Sequence, residues 1–493
     1  MRPRDLTSVI QVLSATSELF PLIKTGGLAD VTGALPDALA AHDVEVLSLI
    51  PGYPAVLAAF ESAEVTYRYS DLFGGPARLL RGTAAGLPIV ALDAPHLFDR
   101  PGNPYLGPDG RDWPDNAMRF AALSKAAADL ASGRARDYRA DVLHCHDWQA
   151  GLGAVYARYE GGPKTVMTVH NIAFKGEFPA SDFAMLGLPA ATFTVDGLEY
   201  YGGVSYLKGG IAYADRITTV SPSYAWEICS PEYGMGLDGL LRSRRGVLRG
   251  IVNGIDDTAW NPANDPVLPQ PFTAETLTRR TANKRAVEER FDLNRGDGIL
   301  HGVVSRLTTQ KGMDLLAASI DHLVSTGARL ALIGTGESDL EQSLSAVAHR
   351  YPGRVGILLG YDEGLAHLIH GGCDTIVVPS RFEPCGLTQL SGMRYGCIPI
   401  TSRTGGLSDT VIAASHATLA NGVATGFQFS TIDQANLEYT LDFAADCFAD
   451  PALWQQLQKQ AMAQDVSWTR SAAAYAKLYR SLLTDGPSPI QDD

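Results

Sequence analysis

The chain has 493 residues, of which 45% are hydrophobic and 19% charged, and carries a net charge of −14. That length exceeds one ordinary core and allows two or more domains, and the apolar share suits a globular rather than a disordered protein. The acidic balance excludes broad electrostatic capture of nucleic acid or anionic membrane, so neither is an expected partner, and any bound phosphate must meet a local basic pocket.

Residues 1–10 include Arg2 and Arg4 but lead directly into a strand-like stretch, with no long apolar segment and no small-residue cleavage site. The terminus reads as unprocessed and the chain as cytoplasmic. No run of about 18 apolar residues occurs, so no membrane span is expected. Six cysteines (145, 229, 373, 385, 397 and 447) are scattered without a Cys-x-x-Cys pair, as suits a reducing compartment. His144, Cys145, His146 and Asp147 resemble a metal cluster at first sight. Neighbours on a strand point to opposite faces, so all four cannot converge, and no metal site is expected.

In chain order, short β-branched runs alternate with turns and amphipathic stretches, the pattern of a parallel α/β sheet. The first half offers strands at 9–15, 44–50, 89–93, 141–145, 164–169 and 216–220. The second offers 299–305, 328–333, 355–359, 375–379 and 398–401. The fold class is therefore α/β, with two Rossmann-like, doubly wound parallel-sheet domains and ligands expected in a deep cleft at the carboxyl ends of the strands. Pro262, Pro266, Pro269 and Pro271 mark a break between the halves. The expected layout is a first domain over 1–255, a hinge over 256–273 and a second domain over 274–466. A helix at 467–484 follows, docking back on the first domain, and a flexible tail at 485–493. One helical face of that last stretch carries Trp468, Ala472, Tyr475, Leu478, Tyr479 and Leu482.

Three strand-to-helix junctions carry phosphate-site chemistry. The first strand leads to Lys24-Thr-Gly-Gly27 and a helical stretch, pairing a full positive charge with glycines and a helix N-terminus; a plain turn with a solvated lysine is the alternative. The second junction puts Arg306 at a strand end and Lys311 five residues on, two cations able to neutralise a departing diphosphate. Two surface cations beside a helix start are the alternative there. The third places Glu383 between a buried strand and a helix starting near Gly386. Its carboxylate can accept from sugar hydroxyls and stabilise positive charge on the ring, or simply cap the helix. The chain contains no Asp-x-Asp, the usual divalent-metal device for nucleotide sugars, which favours a metal-free mechanism with no cofactor. Gly334-Thr-Gly336 follows a strand, but Asp339 stands where a dinucleotide fingerprint has its third glycine.

With these segments in order, the chain resembles the bacterial glycogen synthases and plant starch synthases, a retaining glycosyltransferase family of two Rossmann-like domains (the GT-B type). The resemblance rests on Lys24-Thr-Gly-Gly-Leu-Ala-Asp-Val31, His146-Asp-Trp-Gln-Ala-Gly151, Thr168-Val-His-Asn-Ile172, Val252-Asn-Gly-Ile-Asp256, Ser305-Arg-Leu-Thr-Thr-Gln-Lys-Gly312, Pro379-Ser-Arg-Phe-Glu-Pro-Cys-Gly-Leu-Thr-Gln389 and Arg403-Thr-Gly-Gly-Leu407. It implies transfer of glucose from ADP-glucose to the non-reducing end of an α-1,4-glucan such as glycogen.

The resemblance also implies residue roles. Glu383, His170, Lys311 and Arg306 would be catalytic, with His170 near the anomeric carbon and its carbonyl as important as its ring. Lys24, Gly27, Asp30, Asn253, Tyr361, Cys385, Gly386, Leu387 and Thr388 would bind the donor, Tyr361 by stacking on adenine. Asp147, Asn171, Tyr105 and Trp148 would lie on the acceptor or sugar side. A glutamate eight positions beyond Glu383 is common in the wider fold class, and here that position is Ser391. A same-fold retaining transferase with another sugar nucleotide or acceptor is the nearest rival, and a catalytically silent glucan- or nucleotide-binding regulator the more distant one. A glucan phosphorylase would need a pyridoxal-binding lysine in its own context, which the chain lacks.

Overall fold

The computed structural model describes residues 9–135 and 137–484. The start of the N-terminal stretch and the tail expected from Asp485 lie outside the described residues. The chain forms two compact units, one comprising residues up to Asn253 together with those from Trp468 on, the other Gly254–Ser467.

In the first unit, β1 (Ile10–Ala15), β2 (Val44–Pro51), β3 (Phe60–Tyr69), β4 (Ala77–Ala84), β5 (Leu87–Asp93), β6 (Val142–His146) and β7 (Lys164–Val169) appear in chain order. They are followed by β8 (Glu177–Pro179), β9 (Glu199–Tyr200), β10 (Gly203–Ser205), β11 (Arg216–Thr219) and β12 (Leu248–Gly250). Nine strands make one sheet in the order β12-β11-β7-β6-β1-β2-β5-β4-β3, while β8, β10 and β9 form a separate small sheet. The pairs from β12 across to β5 are parallel, and β4 and β3 extend the sheet antiparallel to it. Strand order reverses between β1 and β6, which makes the carboxyl ends of those two strands the natural ligand position of this sheet.

The second unit contains β13 (Leu300–Val304), β14 (Arg329–Gly334), β15 (Val355–Leu359), β16 (Thr375–Val378), β17 (Ile398–Ser402) and β18 (Phe427–Phe429). They form a parallel sheet in the order β15-β14-β13-β16-β17-β18. Its switch point lies between β13 and β16. The strands are buried almost throughout because helices cover both faces, and this is why their sequences read as unbroken apolar runs.

The boundaries differ from expectation in one physical respect. Segment 256–273, read as a hinge, is an integral part of the second unit. Prolines bar it from helix and sheet, but they do not bar it from packing. Leu268 and Phe272 join Leu277 and Tyr395 in an apolar cluster. Trp260 stacks on His367 with ring centroids 3.9 Å apart, and Asp265 accepts from His367 at 2.7 Å and from the Tyr395 hydroxyl at 2.6 Å. The chain passes between units at Asn253/Gly254 and Ser467/Trp468 instead. The closing helix Thr469–Thr484 belongs to the first unit. Ala472, Tyr475, Leu478, Tyr479 and Leu482, with Trp468 just ahead of the helix, join Val31, Leu35 and Leu39 of helix Gly27–Ala40 and residues of β1, β2, β6 and β7 in one core. Full burial of each such aromatic is worth roughly 2–3 kcal/mol before entropy is counted.

Candidate active site

Each unit gathers its candidate site residues at the carboxyl ends of its parallel strands, chiefly the two flanking the switch point, with β7 and β15 adding His170, Asn171 and Tyr361. In the second unit β13 runs into Arg306, which is exposed, and whose guanidinium has no carboxylate partner among the described residues. The chain then turns at Gly312, in the left-handed region with φ +70°, before helix Met313–Ser325. A Cβ at Gly312 would stand 2.0 Å from the carbonyl oxygen of Pro379, just past β16. Only glycine lets the two strand ends approach this closely, and the approach brings Lys311 to Glu383. Lys311 Nζ lies 2.5 Å from Glu383 Oε2, which also accepts from Ser380 Oγ at 2.9 Å. Glu383 is 6% exposed, so a desolvated carboxylate is held by one cation and one hydroxyl.

The loop beyond Glu383 is buttressed from behind. Gly406 N–H lies 3.1 Å from the carbonyls of both Glu383 and Pro384, and a Cβ at Gly406 would be 2.3 Å from the Cys385 carbonyl. The second Thr-Gly-Gly motif, at 404–406, therefore sets the backbone that carries the carboxylate. The helix after Glu383 runs Thr388–Arg394, two residues later than expected. Gly386 and Leu387 precede it, with Gly386 at φ +73° and the Gln389 amide donating to the carbonyls of Cys385 and Gly386. Tyr361, expected to stack on a base, follows β15 and Gly360 and is 68% exposed, with its hydroxyl donating to Glu363 at 2.9 Å.

In the first unit, β1 ends at Ala15 and the chain passes through Glu18 to the Lys24 turn. Lys24 Nζ pairs with Asp30 Oδ1 at 2.7 Å and lies over the Phe20 ring, while Gly27 opens helix Gly27–Ala40. The turn does not stand open as a bare cluster of N–H groups. Glu18 Oε2 accepts from Thr25 N at 2.5 Å and Gly26 N at 3.2 Å, and Oε1 accepts from Thr25 Oγ1 at 2.6 Å and from the Tyr105 hydroxyl at 2.5 Å. Glu18 is thus a site residue that pattern reading missed. The sequence shows only an acidic residue between a buried strand and a glycine turn, flanked by Ser17 and Leu19, and its partners come together only in the fold.

At the other strand of the switch point, β6 ends at His146 and helix Asp147–Glu160 begins at once. Asp147 sits at φ +53°, a conformation that costs a residue with a Cβ roughly 1–2 kcal/mol. Its Oδ1 accepts the main-chain N–H of His170 at 2.7 Å and of Asn171 at 3.4 Å. Burial raises this carboxyl to about 7, against the pull of those two N–H donors. The Asn171 side chain turns back to accept from Ala173 N at 3.0 Å. The His170 ring meets His146, Nε2 to Nδ1 at 2.9 Å, and burial pushes His170 down to about 3 and His146 well below its ordinary value.

Trp148 is half-buried, edge-on to Phe120 at 4.8 Å and close against Gly176, so packing accounts for much of its surface. Tyr105 is half-buried, and its hydroxyl is also 2.8 Å from Ser17 Oγ. Asn253 is 7% exposed, and its Oδ1 has no hydrogen-bond partner among the described residues. His144 and His146, two apart on β6, share a face with ring centroids 4.1 Å apart, while Cys145 faces the helix behind, beside Gly153. Among the described residues, no group of three or more His, Cys, Asp or Glu side chains has metal-holding geometry.

Comparison with known proteins identifies the family. Residues 11–243 match the family described as Starch synthase catalytic domain, and residues 286–430 match Glycosyl transferases group 1. The chain is 55% identical over 481 residues to the glycogen synthase of Methylocella silvestris, covering 97% of this chain and 100% of that protein. The chain belongs to the glycogen and starch synthase family. The glycogen synthase of Mesorhizobium japonicum is also 55% identical, over 96% of this chain and 99% of its own. Among solved structures, the catalytic domain of starch synthase IV from Arabidopsis thaliana, bound to ADP and acarbose, has a TM-score of 0.86 at 31% identity, covering 97% of this chain and 100% of that one. A sucrose-phosphate synthase from Thermosynechococcus elongatus, with a TM-score of 0.59 at 18% identity, shares the fold. In this member of the glycogen and starch synthase family, as the fold implies, both sheets have doubly wound order. No helix among the described residues is long and apolar enough to cross a membrane.

Proposed function

We propose that the protein transfers glucose from ADP-glucose to the non-reducing end of an α-1,4-glucan, with retention of configuration and without a metal ion. Its family membership makes it a glucosyltransferase of glycogen synthesis. The observation that carries this reading is the Lys311–Glu383 pair at a switch point, with the exposed Arg306 on the same strand-to-helix junction as Lys311. The ADP and acarbose held by the starch synthase neighbour support an adenine nucleotide donor and a glucan acceptor. The six unpaired cysteines support action in the cytoplasm, and the acidic charge argues against a nucleic-acid partner.

In this reading Arg306, Lys311 and Lys24 neutralise the diphosphate as its bond to the anomeric carbon breaks. Fixed cations thereby supply what a divalent ion supplies elsewhere. Backbone N–H groups of Gly27 and of Gly386 to Thr388 add dipoles to the phosphates. Glu383 accepts from hydroxyls of the transferred glucose, and the His170 carbonyl and ring face the reacting carbon. The acceptor's 4-hydroxyl forms the new bond, ADP leaves, and a donor phosphate oxygen takes the proton. NMR of a maltooligosaccharide extended in chelator-treated buffer tests this. A new α-1,4 linkage is expected at an undiminished rate; a β linkage, or dependence on added divalent metal, contradicts it.

A further inference from the structure

His146 closes β6, and the function derived above gives it no task. It is 1% exposed, and its ring lies against His144 at 4.1 Å between centroids. His144 is itself immobilised at both nitrogens. Nδ1 is 2.8 Å from the Tyr479 hydroxyl of the closing helix, and Nε2 is 2.5 Å from Thr168 Oγ1, which in turn is 2.5 Å from Thr218 Oγ1. A pinned ring therefore supports the face of His146 and leaves it one orientation, with Nδ1 directed at His170 Nε2, 2.9 Å away.

An N–H···N bond between two imidazoles needs one ring to donate and the other to accept, so at least one must be neutral. Burial keeps both neutral at ordinary pH. The bond has two consequences for His170. Its Nε2 is committed within the protein, so only Nδ1 and the main-chain carbonyl remain to meet a ligand. The ring also cannot rotate without abandoning a buried partner. Asp147 already fixes the same residue's main chain through His170 N–H, so backbone and ring are each anchored separately.

We propose that His146 is a positioning residue for transfer: it sets the tautomer and ring angle of His170 and touches no substrate itself. The proposal rests on the reading of His170 as a contact to the transferred sugar. The test is a double-mutant cycle in the full-length enzyme with His146→Leu, His146→Asn and His170→Ala, combined with NMR of histidine-labelled protein. His146→Leu should lower kcat on the order of 10-fold to 100-fold while leaving KM for ADP-glucose unchanged. His146→Asn, whose amide stands near the Nδ1 position, should recover most of the loss. In the His170→Ala background, His146→Leu should cost nothing further. A downfield imidazole proton should be present in the wild type and absent from both His146→Leu and His170→Ala.

An equal loss from His146→Leu in both backgrounds would show a merely structural role and overturn the proposal, as would near-normal kcat in His146→Leu. If both catalytic readouts are too weak to measure, the imidazole proton decides: its persistence in either variant refutes the bond. Full activity of His170→Ala would instead remove the reading of His170, an outcome distinguishable from the others.

Discussion

Lys311 and Glu383 stand 72 residues apart in sequence and meet at 2.5 Å, on the two strand ends that flank the switch point of the second sheet. Removing one partner of such a buried pair leaves the other charge uncompensated. Lys311→Ala should therefore lose transition-state stabilisation and also displace Glu383. Glucose transfer should fall by roughly 10²- to 10³-fold or more in either Lys311→Ala or Glu383→Gln. The double variant should be far less than additive, because the two groups act as a unit. Steady-state kinetics of the three enzymes check this.

The Glu18 carboxylate gathers four donors, two main-chain N–H groups and two hydroxyls. Glu18→Ala strands the two main-chain N–H groups and the Thr25 hydroxyl, leaves Tyr105 only Ser17, and should cost about 2–4 kcal/mol. Glu18→Gln should cost clearly less, since its carbonyl can keep the fixed N–H donors while its amide faces hydroxyls able to turn and accept. Denaturant unfolding of both variants measures the difference, and equal costs would refute this account of the turn.

Stability should fall on acidification from about pH 6.5. His144, His170, His301 and His370 are pushed by burial to about 3, and His146 is also well depressed. The unfolded chain takes up these protons near 6.5, so below that pH the unfolded state binds more protons and gains on the native state. Asp147, raised to about 7, works the other way between about 7 and 4. Five histidines against one carboxyl set the sign, so the urea midpoint should be lower at about pH 5 than at about pH 7.5.

Gly312 is predicted to tolerate no side chain. Gly312→Ala combines left-handed strain of roughly 1–2 kcal/mol with a clash against the Pro379 carbonyl, which must move. A loss of about 2–4 kcal/mol is expected, with a fall in kcat because Lys311 leaves Glu383. Thermal unfolding and kinetics on the same preparation test both halves.

Much of this architecture was legible because buried parallel strands announce themselves as apolar runs; β13, β14 and β16 are examples. The antiparallel pair β3 and β4 was not, because most of β3 is exposed and its charges read as surface. The proline-rich stretch misled for a related reason: Trp260 and Phe272 anchor it through contacts with residues some 100 positions or more away, which no local pattern records. The three phosphate junctions were visible as cations and glycines at strand ends. Glu18 and His146 were not, since their roles arise only when β1, β6 and β7 are set side by side and Tyr105 is folded over the Lys24 turn.

The most direct test of the central claim is incorporation of radiolabelled glucose into glycogen by the purified protein, with ADP-glucose and UDP-glucose compared at equal concentration. Rapid, glycogen-dependent incorporation from ADP-glucose, much slower incorporation from UDP-glucose, and loss of both in Lys311→Ala are predicted. Equal or preferential use of UDP-glucose, or no incorporation from either donor, would contradict it.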